Sequence, residues 1–479
     1  MGFVALGAAG CAVPLAPGFR IAKESREIQF VPAQPPQLRI QTHYTLQNSG
    51  TTDLEYVDIR LPDEQTYGRK DLHIEIDGQE ITPTGIPAKL VQDEPDAIRA
   101  PFDSAWKRGQ TREVSVEYSL ESPEDRGTRI TLGESSFHLG SRGGFPQLLP
   151  PKHVLAAYPR RPDPTLYSIR VPSDFVVLAR GTPKKPRKTG AETEYQFVLR
   201  RGDLAAYIVA GRYSIWPAGR ANNSTSFWTL QPLKGDPQDS AAKIAAVGKI
   251  LETNFGPLDK RIREPHIVES PDLQARVTAE SGPAGAPFPR GALVNPAALA
   301  LGIDSDQFLD IVTRALAHDW FADQLYPVRD AALGMGEGLP EYASIVVEAD
   351  QGGDDARRRA IQRYLRRYDQ ARSSSPETPL GVIMLTDPLA QRRIAVAKAA
   401  LFYVALEDTC GADAMQGGLR HLVNVLRGQE VSYDDLRAAL EQSSGKSLAD
   451  IFRVWLNVPG IPEEFRTRYQ AGNATSAGS

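Results

Sequence analysis

Apolar and polar residues alternate with period two through residues 28–31, 38–46, 54–61, 72–76, 114–120, 167–171 and 195–199. Turn signals such as Asn48-Ser49-Gly50 and Ile76-Asp77-Gly78 separate these runs. Strict alternation puts one side chain set on the buried face and the other in water, so this half of the chain predicts a half-buried antiparallel sheet or sandwich. Beyond about residue 235 the period lengthens. Ile244, Val247, Ile250, Leu251 and Phe255 recur at helical spacing, and residues 304–325 form a strongly amphipathic stretch. Asp304-Ser305-Asp306 offers side-chain oxygens and negative charge at the start of that helix. Helical spacing continues through 338–348, 392–406, 417–426, 433–442 and 448–456, with one strand-like run at 265–269. The Ser-rich interval 370–377 predicts an exposed loop, and the polar small-residue end beyond about 466 a flexible tail.

Composition narrows the class. The chain has 479 residues, 41% hydrophobic and 24% charged, with a net charge of −4. That is enough apolar material for a sizeable core and excludes a disordered, collagen-like or coiled-coil chain. The 40 glycines and 37 prolines are in excess and fit a large, turn-rich β component. The near-neutral balance gives no electrostatic footprint for nucleic acid. Lys184, Lys185, Arg187 and Lys188 lie between two strands with no interleaved aromatic, which reads as a solvated hairpin. Two cysteines, Cys11 and Cys410, make neither a disulfide framework nor a cysteine zinc site.

Residues 1–17 are small, apolar and uncharged. Residues 6–11, Leu-Gly-Ala-Ala-Gly-Cys, resemble a bacterial lipobox, although Ala8 stands where a larger aliphatic residue is usual. The expectation is an exported protein of the cell envelope or periplasm, a lipoprotein tethered to the membrane through Cys11, where one acyl chain alone would hold weakly.

The informative stretch is residues 311–322, Ile-Val-Thr-Arg-Ala-Leu-Ala-His-Asp-Trp-Phe-Ala, followed by 336–344, Gly-Glu-Gly-Leu-Pro-Glu-Tyr-Ala-Ser. It resembles the aminopeptidase N family of zinc metallopeptidases (gluzincins), whose pattern is H-E-L-A-H-x-W-F and then N-E-G-x-x-E-Y. Eighteen residues separate His318 from Glu337, as the family requires, and Trp320, Phe321, Gly338, Glu341 and Tyr342 fall in register. Residues 167–181 look like the family's N-terminal domain and residues 448–462 like the end of its catalytic domain. The resemblance implies an α+β multi-domain chain, with an N-terminal antiparallel β sandwich or saddle over 20–218 and a thermolysin-like, mostly α-helical peptidase domain over 219–465. A signal-like segment, 1–19, and a tail, 466–479, flank them.

The family's chemistry needs two histidines one helical turn apart and a downstream glutamate on zinc, and a glutamate after the first histidine as general base. Here Arg314 stands at the first histidine and Ala315 at the base, so only His318 and Glu337 remain of the ligand set. A guanidinium stays protonated and offers no lone pair. At about 4 Å and an effective dielectric of about 20, its repulsion of a divalent cation costs on the order of 8 kcal/mol. The family's substrate-amine motif, G-A-M-E-N-P-G, resembles residues 285–291, with Phe288 at the glutamate and prolines at 287 and 289 that remove backbone donors. Glu280 is a displaced substitute to consider. The oxyanion tyrosine of the family's Y-x-K-G motif is matched by Val396, and Tyr403 lies two turns further along. Loss of base and oxyanion donor removes about 10²–10⁴-fold of rate each.

These departures imply a pseudoenzyme with a degenerate HExxH motif, no catalytic residue and no bound cofactor, zinc being the family's metal. Its function would be peptide binding or scaffolding, with peptide or protein partners. The alternative is a metallopeptidase with a rearranged site. The cleft candidates are Arg314, His318, Glu337, Glu341, Glu280 and Tyr403, with an Arg314–Glu337 ion pair expected to fill the metal's place and His318 beside it.

Overall fold

The computed structural model describes residues 18–470 except 63, 65–67, 86–96, 122–129, 141–143, 150–163, 201–206, 221–223, 259–263, 272–284, 289–290, 322–323, 329, 385–386 and 428. Cys11 and Glu280 lie outside the described residues. The chain divides into two compact units, residues 1–125 with 139–208, and residues 126–138 with 209–479.

The first unit holds a smaller four-stranded sheet, from Leu54–Arg60, Thr84–Gly85, Ala97–Trp106 and Gln147–Leu149, and one large sheet. The long strands of the large sheet are β1 (Phe19–Val31), β2 (Gln37–Asn48), β3 (Arg69–Ile76), β4 (Thr111–Glu121), β5 (Thr165–Pro172) and β6 (Glu192–Leu199). They lie in the order β6-β5-β1-β2-β4-β3. All neighbours are antiparallel except β1 and β5, which run parallel, Ser25 opposite Leu166. Alternation is clean in β2, where Leu38, Ile40, Thr42, Tyr44 and Leu46 are buried and the residues between them are more exposed. This is the period-two pattern acting as expected. The basic run Lys184–Lys188 is exposed on the hairpin that returns along β6, with Arg187 paired to Glu194.

The second unit contains a mixed sheet of β7 (Ser214–Ala218), β8 (Thr225–Thr229), β9 (His266–Glu269), β10 (Gly285–Phe288) and β11 (Gly291–Val294) in the order β7-β8-β9-β11-β10. Its helices of eight residues or more are α1 (Pro237–Phe255), α2 (Asp306–Phe321), α3 (Gly338–Ser374), α4 (Leu389–Cys410), α5 (Ala412–Val425), α6 (Tyr433–Ser444), α7 (Ala449–Asn457) and α8 (Glu463–Gln470). Asp236 caps α1 by accepting from the Gln238 N–H, with Pro237 in the first turn. Ser305 caps α2 by accepting from the Phe308 N–H. The Trp320 indole donates to the Gly256 carbonyl at 2.8 Å, and Phe321 packs edge-on against Phe255, so the end of α2 is fixed to the end of α1. Strand β10 lies directly on α2: a Cβ at Gly285 would come 2.3 Å from a methyl of Ile311.

The predicted loop at 370–377 is shorter than expected, because α3 continues to Ser374. Tyr364, Leu365 and Tyr368 are buried along its last turns, and that packing overrides the loop propensity of the serines. Helix α3 is also broken. Gly353 sits at φ 66°, ψ −163°, a conformation that needs glycine, and divides it into two arms. Glu341 and Tyr364, 23 residues apart in sequence, are hydrogen-bonded to each other. In a straight helix they would be about 34 Å apart. The second arm therefore folds back along the first.

Candidate functional site

Helix α2 buries Phe308, Ile311, Val312, Ala315, Leu316 and Trp320. The same 3.6-residue period that buries them leaves Asp310, Arg314 and His318 as a stripe at one-turn spacing. The first arm of α3 runs antiparallel to α2 and presents Glu337, Glu341 and Ser344 at matching spacing. Three rungs result. The Ser344 hydroxyl donates to Asp310 Oδ1 at 2.7 Å. Arg314 Nη1 lies 3.9 Å from Glu341 Oε2 and 3.2 Å from Asp310 Oδ2. His318 Nε2 lies 3.6 Å from Glu337 Oε2.

The expected Arg314–Glu337 ion pair is therefore corrected: Arg314 pairs with Asp310 and Glu341, and Glu337 faces His318. The reason is register. Glu337 is opposite His318, one turn further along α2, whereas Glu341 is opposite Arg314 and Asp310 is one turn back on the same helix.

The second arm of α3 closes the ring. The Tyr364 hydroxyl donates to Glu341, Arg367 Nη1 lies 3.7 Å from the same carboxylate, and Arg363 pairs with Glu348. Burial opposes the charge of Asp310, but Arg314, Ser344, Arg363 and Arg367 outweigh it and hold the carboxyl below its usual range. Burial likewise works against the Arg314 guanidinium, and Asp310 and Glu341 outweigh it, keeping the group firmly protonated. Burial first, and then Glu341, push the Tyr364 phenol well above its ordinary value.

The other candidates fall elsewhere. Ala315 is buried and carries no functional group. Phe288 is buried at the end of β10, its ring edge-on to His138. Val396 lies on α4, 9% exposed. Tyr403 is fully buried; its hydroxyl donates to the Gly334 carbonyl at 2.9 Å and its ring packs against Tyr342, so it serves the core. Sequence reasoning missed Asp310, Ser344, Arg363, Tyr364 and Arg367. Asp310 was visible as the residue one turn before Arg314. The other three charged or phenolic groups come from the folded-back arm, whose signal was the Gly352-Gly353-Asp354 break.

The donor set does not fit a zinc ion. Of the ligand positions only His318 and Glu337 can donate, and the first is taken by a guanidinium committed to two carboxylates. Among the described residues no three His, Cys, Asp or Glu side chains come together as a metal site.

No family model and no curated protein matches the chain. Solved structures do. The M1 zinc metallopeptidase from Deinococcus radiodurans aligns over 93% of this chain and 95% of its own at 16% identity, with a TM-score of 0.63. A point mutant of that protein bound to a Tyr-Ser-Ala substrate aligns over the same shares at 16% identity, with a TM-score of 0.65. A two-domain M1 zinc metallopeptidase mutant bound to L-arginine aligns over 93% and 95% at 17% identity, with a TM-score of 0.63. This chain has the two-domain fold of the M1 zinc metallopeptidases, a β unit followed by a largely helical one.

Proposed function

We propose that this protein is a non-catalytic pseudopeptidase, a scaffold built on the M1 peptidase fold. The observation that carries the reading is Arg314, at the position of the first metal donor, committed to Asp310 and Glu341, with the methyl group of Ala315 at the position of the general base. Neither residue can bind a metal or take a proton from water. Phe288 and Val396 extend the pattern: where the family resemblance places an amine-binding carboxylate and an oxyanion donor, this chain has apolar side chains. Pro287 removes a backbone donor that β10 could offer to an added strand, which favours protein scaffolding over peptide capture in the extended mode; Pro289 lies outside the described residues.

The test is metal analysis of purified protein together with hydrolysis of amino-acid anilides. The expected result is sub-stoichiometric zinc and no chelator-sensitive turnover. Stoichiometric zinc with turnover abolished by chelator would establish instead a metallopeptidase with a rearranged site. The double substitution Arg314→His with Ala315→Glu is expected to introduce zinc uptake before any hydrolysis, since Phe288 and Val396 would still lack their polar counterparts.

A further inference from the structure

Two carboxylates, Asp310 and Glu341, and one phenol, Tyr364, meet around Arg314 where α2 faces the two arms of α3, and Glu337 lies one rung along the ladder. The cations facing them are Arg314 from α2, and Arg363 and Arg367 from the folded-back arm; His318 faces Glu337. Arg363 is drawn to Glu348 at the edge of the cluster. Arg367 lies 3.7 Å from Glu341 with its guanidinium over the Tyr364 ring, and its side chain is 38% exposed. Arg314 is the group that touches both Asp310 and Glu341, and it is the least exposed of the three arginines.

We infer that Arg314 is a resident structural cation, whose guanidinium ties α2 to α3 through Asp310 and Glu341 and, by way of Glu341 and Tyr364, reaches the folded-back arm. The inference rests on the reading that no metal occupies this place, and deepens it: the cation of the site has been replaced from within the chain. Among the described residues Asp310 makes its direct ion pair with Arg314, and it also accepts from the neutral Ser344 hydroxyl. Glu341 accepts from Tyr364 of the second arm while it faces Arg314 of α2, so the guanidinium–carboxylate–phenol chain crosses all three helical segments. Removing the positive charge leaves two partly buried carboxylates facing each other, with Arg367 and Tyr364 of the folded-back arm as the remaining partners of Glu341. The glycine-only corner at Gly353 makes that arm depend on contacts along its length.

Thermal unfolding and hydrogen exchange of the full chain test this. Arg314→Met, which keeps bulk and removes charge, should lower Tm by about 5 °C and speed amide exchange in 338–348 and 361–368. Arg314→Lys should recover part of the loss, because it keeps the charge but not the fork. Adding Asp310→Asn and Glu341→Gln to Arg314→Met should bring Tm back toward wild type, whereas the same two changes in the wild-type background should lower it. A Met variant as stable as wild type, or a triple variant no more stable than Arg314→Met, overturns the inference. The two readings fail separately: zinc bound to wild type removes the functional reading, while a metal-free wild type indifferent to Arg314→Met removes only this one.

Discussion

Two ionic clusters of the helical unit differ in almost every physical respect. At the α2–α3 ladder, Arg314, Asp310 and Glu341 are partly open to water, with contacts of 3.2 and 3.9 Å. Near the end of α3, Lys398 of α4 meets Glu377 at 2.7 Å with both side chains 1% exposed. Lys398 also donates to the Val458 carbonyl at 2.6 Å, and Glu377 accepts from Tyr368, Arg372 and the Gly460 N–H. The first cluster lies on positions that resemble a metal motif and carries Arg314 and Ala315 there. The second includes the lysine that resembles the family's Y-x-K-G motif, and keeps it although Val396 has replaced the tyrosine two residues away. A catalytic side chain can be exchanged when its loss affects substrate alone. A dry ion pair cannot lose one member without stranding the other.

The contrast predicts a ranking. Lys398→Met should be the most damaging change, on the order of 3–5 kcal/mol in denaturant unfolding, since the Glu377 carboxylate would lose its closest cation in the dry interior. If Arg314→Met costs as much or more, burial is not what separates the clusters.

Acid comes next. Burial opposes ionisation of Glu377, but Lys398 and Tyr368 hold it below its ordinary 4.5, and Arg314 likewise brings Asp310 below its ordinary 3.8. On acidification the unfolded chain takes up protons before the folded one. The stability these groups supply is therefore complete above those ordinary values and is lost as pH falls through the folded ones. Unfolding free energy measured from neutrality down to the acid limit should show this fall. Glu377→Gln should flatten it more than Asp310→Asn; the reverse order would place the stronger acid linkage at the ladder.

At the bottom of the scale, Arg453→Ala removes an i,i+3 pair with Asp450 in which the side chains are 64% and 94% exposed. It should move stability by no more than about 0.5 kcal/mol. A larger change would mean that solvent-facing pairs contribute here as the ladder does.

Much of the fold was legible because local pattern and burial agree. The alternating strands at 38–46 and 114–120 and the amphipathic run after Ser305 all appear where their periods place them. The parallel pairing of β1 with β5 was not legible, because alternation specifies a face and not a neighbour's direction. The serines at 373–375 misled in the other direction, since they end a helix whose last turns are held by Tyr364 and Tyr368. The site was half legible. Arg314, His318, Glu337 and Glu341 could be named from spacing, and they meet as two pairs, Arg314 with Glu341 and His318 with Glu337. The pairing among them was misjudged, because a motif gives the order of side chains along a helix but not the register of the helix opposite.

The sequence by itself determined the chemical limits of the site, because protonation and lone pairs belong to residue types: an arginine and an alanine at those two positions cannot supply a donor and a base in any fold. Only the tertiary structure decided what Arg314 does instead. That depended on an antiparallel helix offset by one turn and on a glycine corner that returns Tyr364 and Arg367 from more than twenty residues away, both set by packing between distant segments.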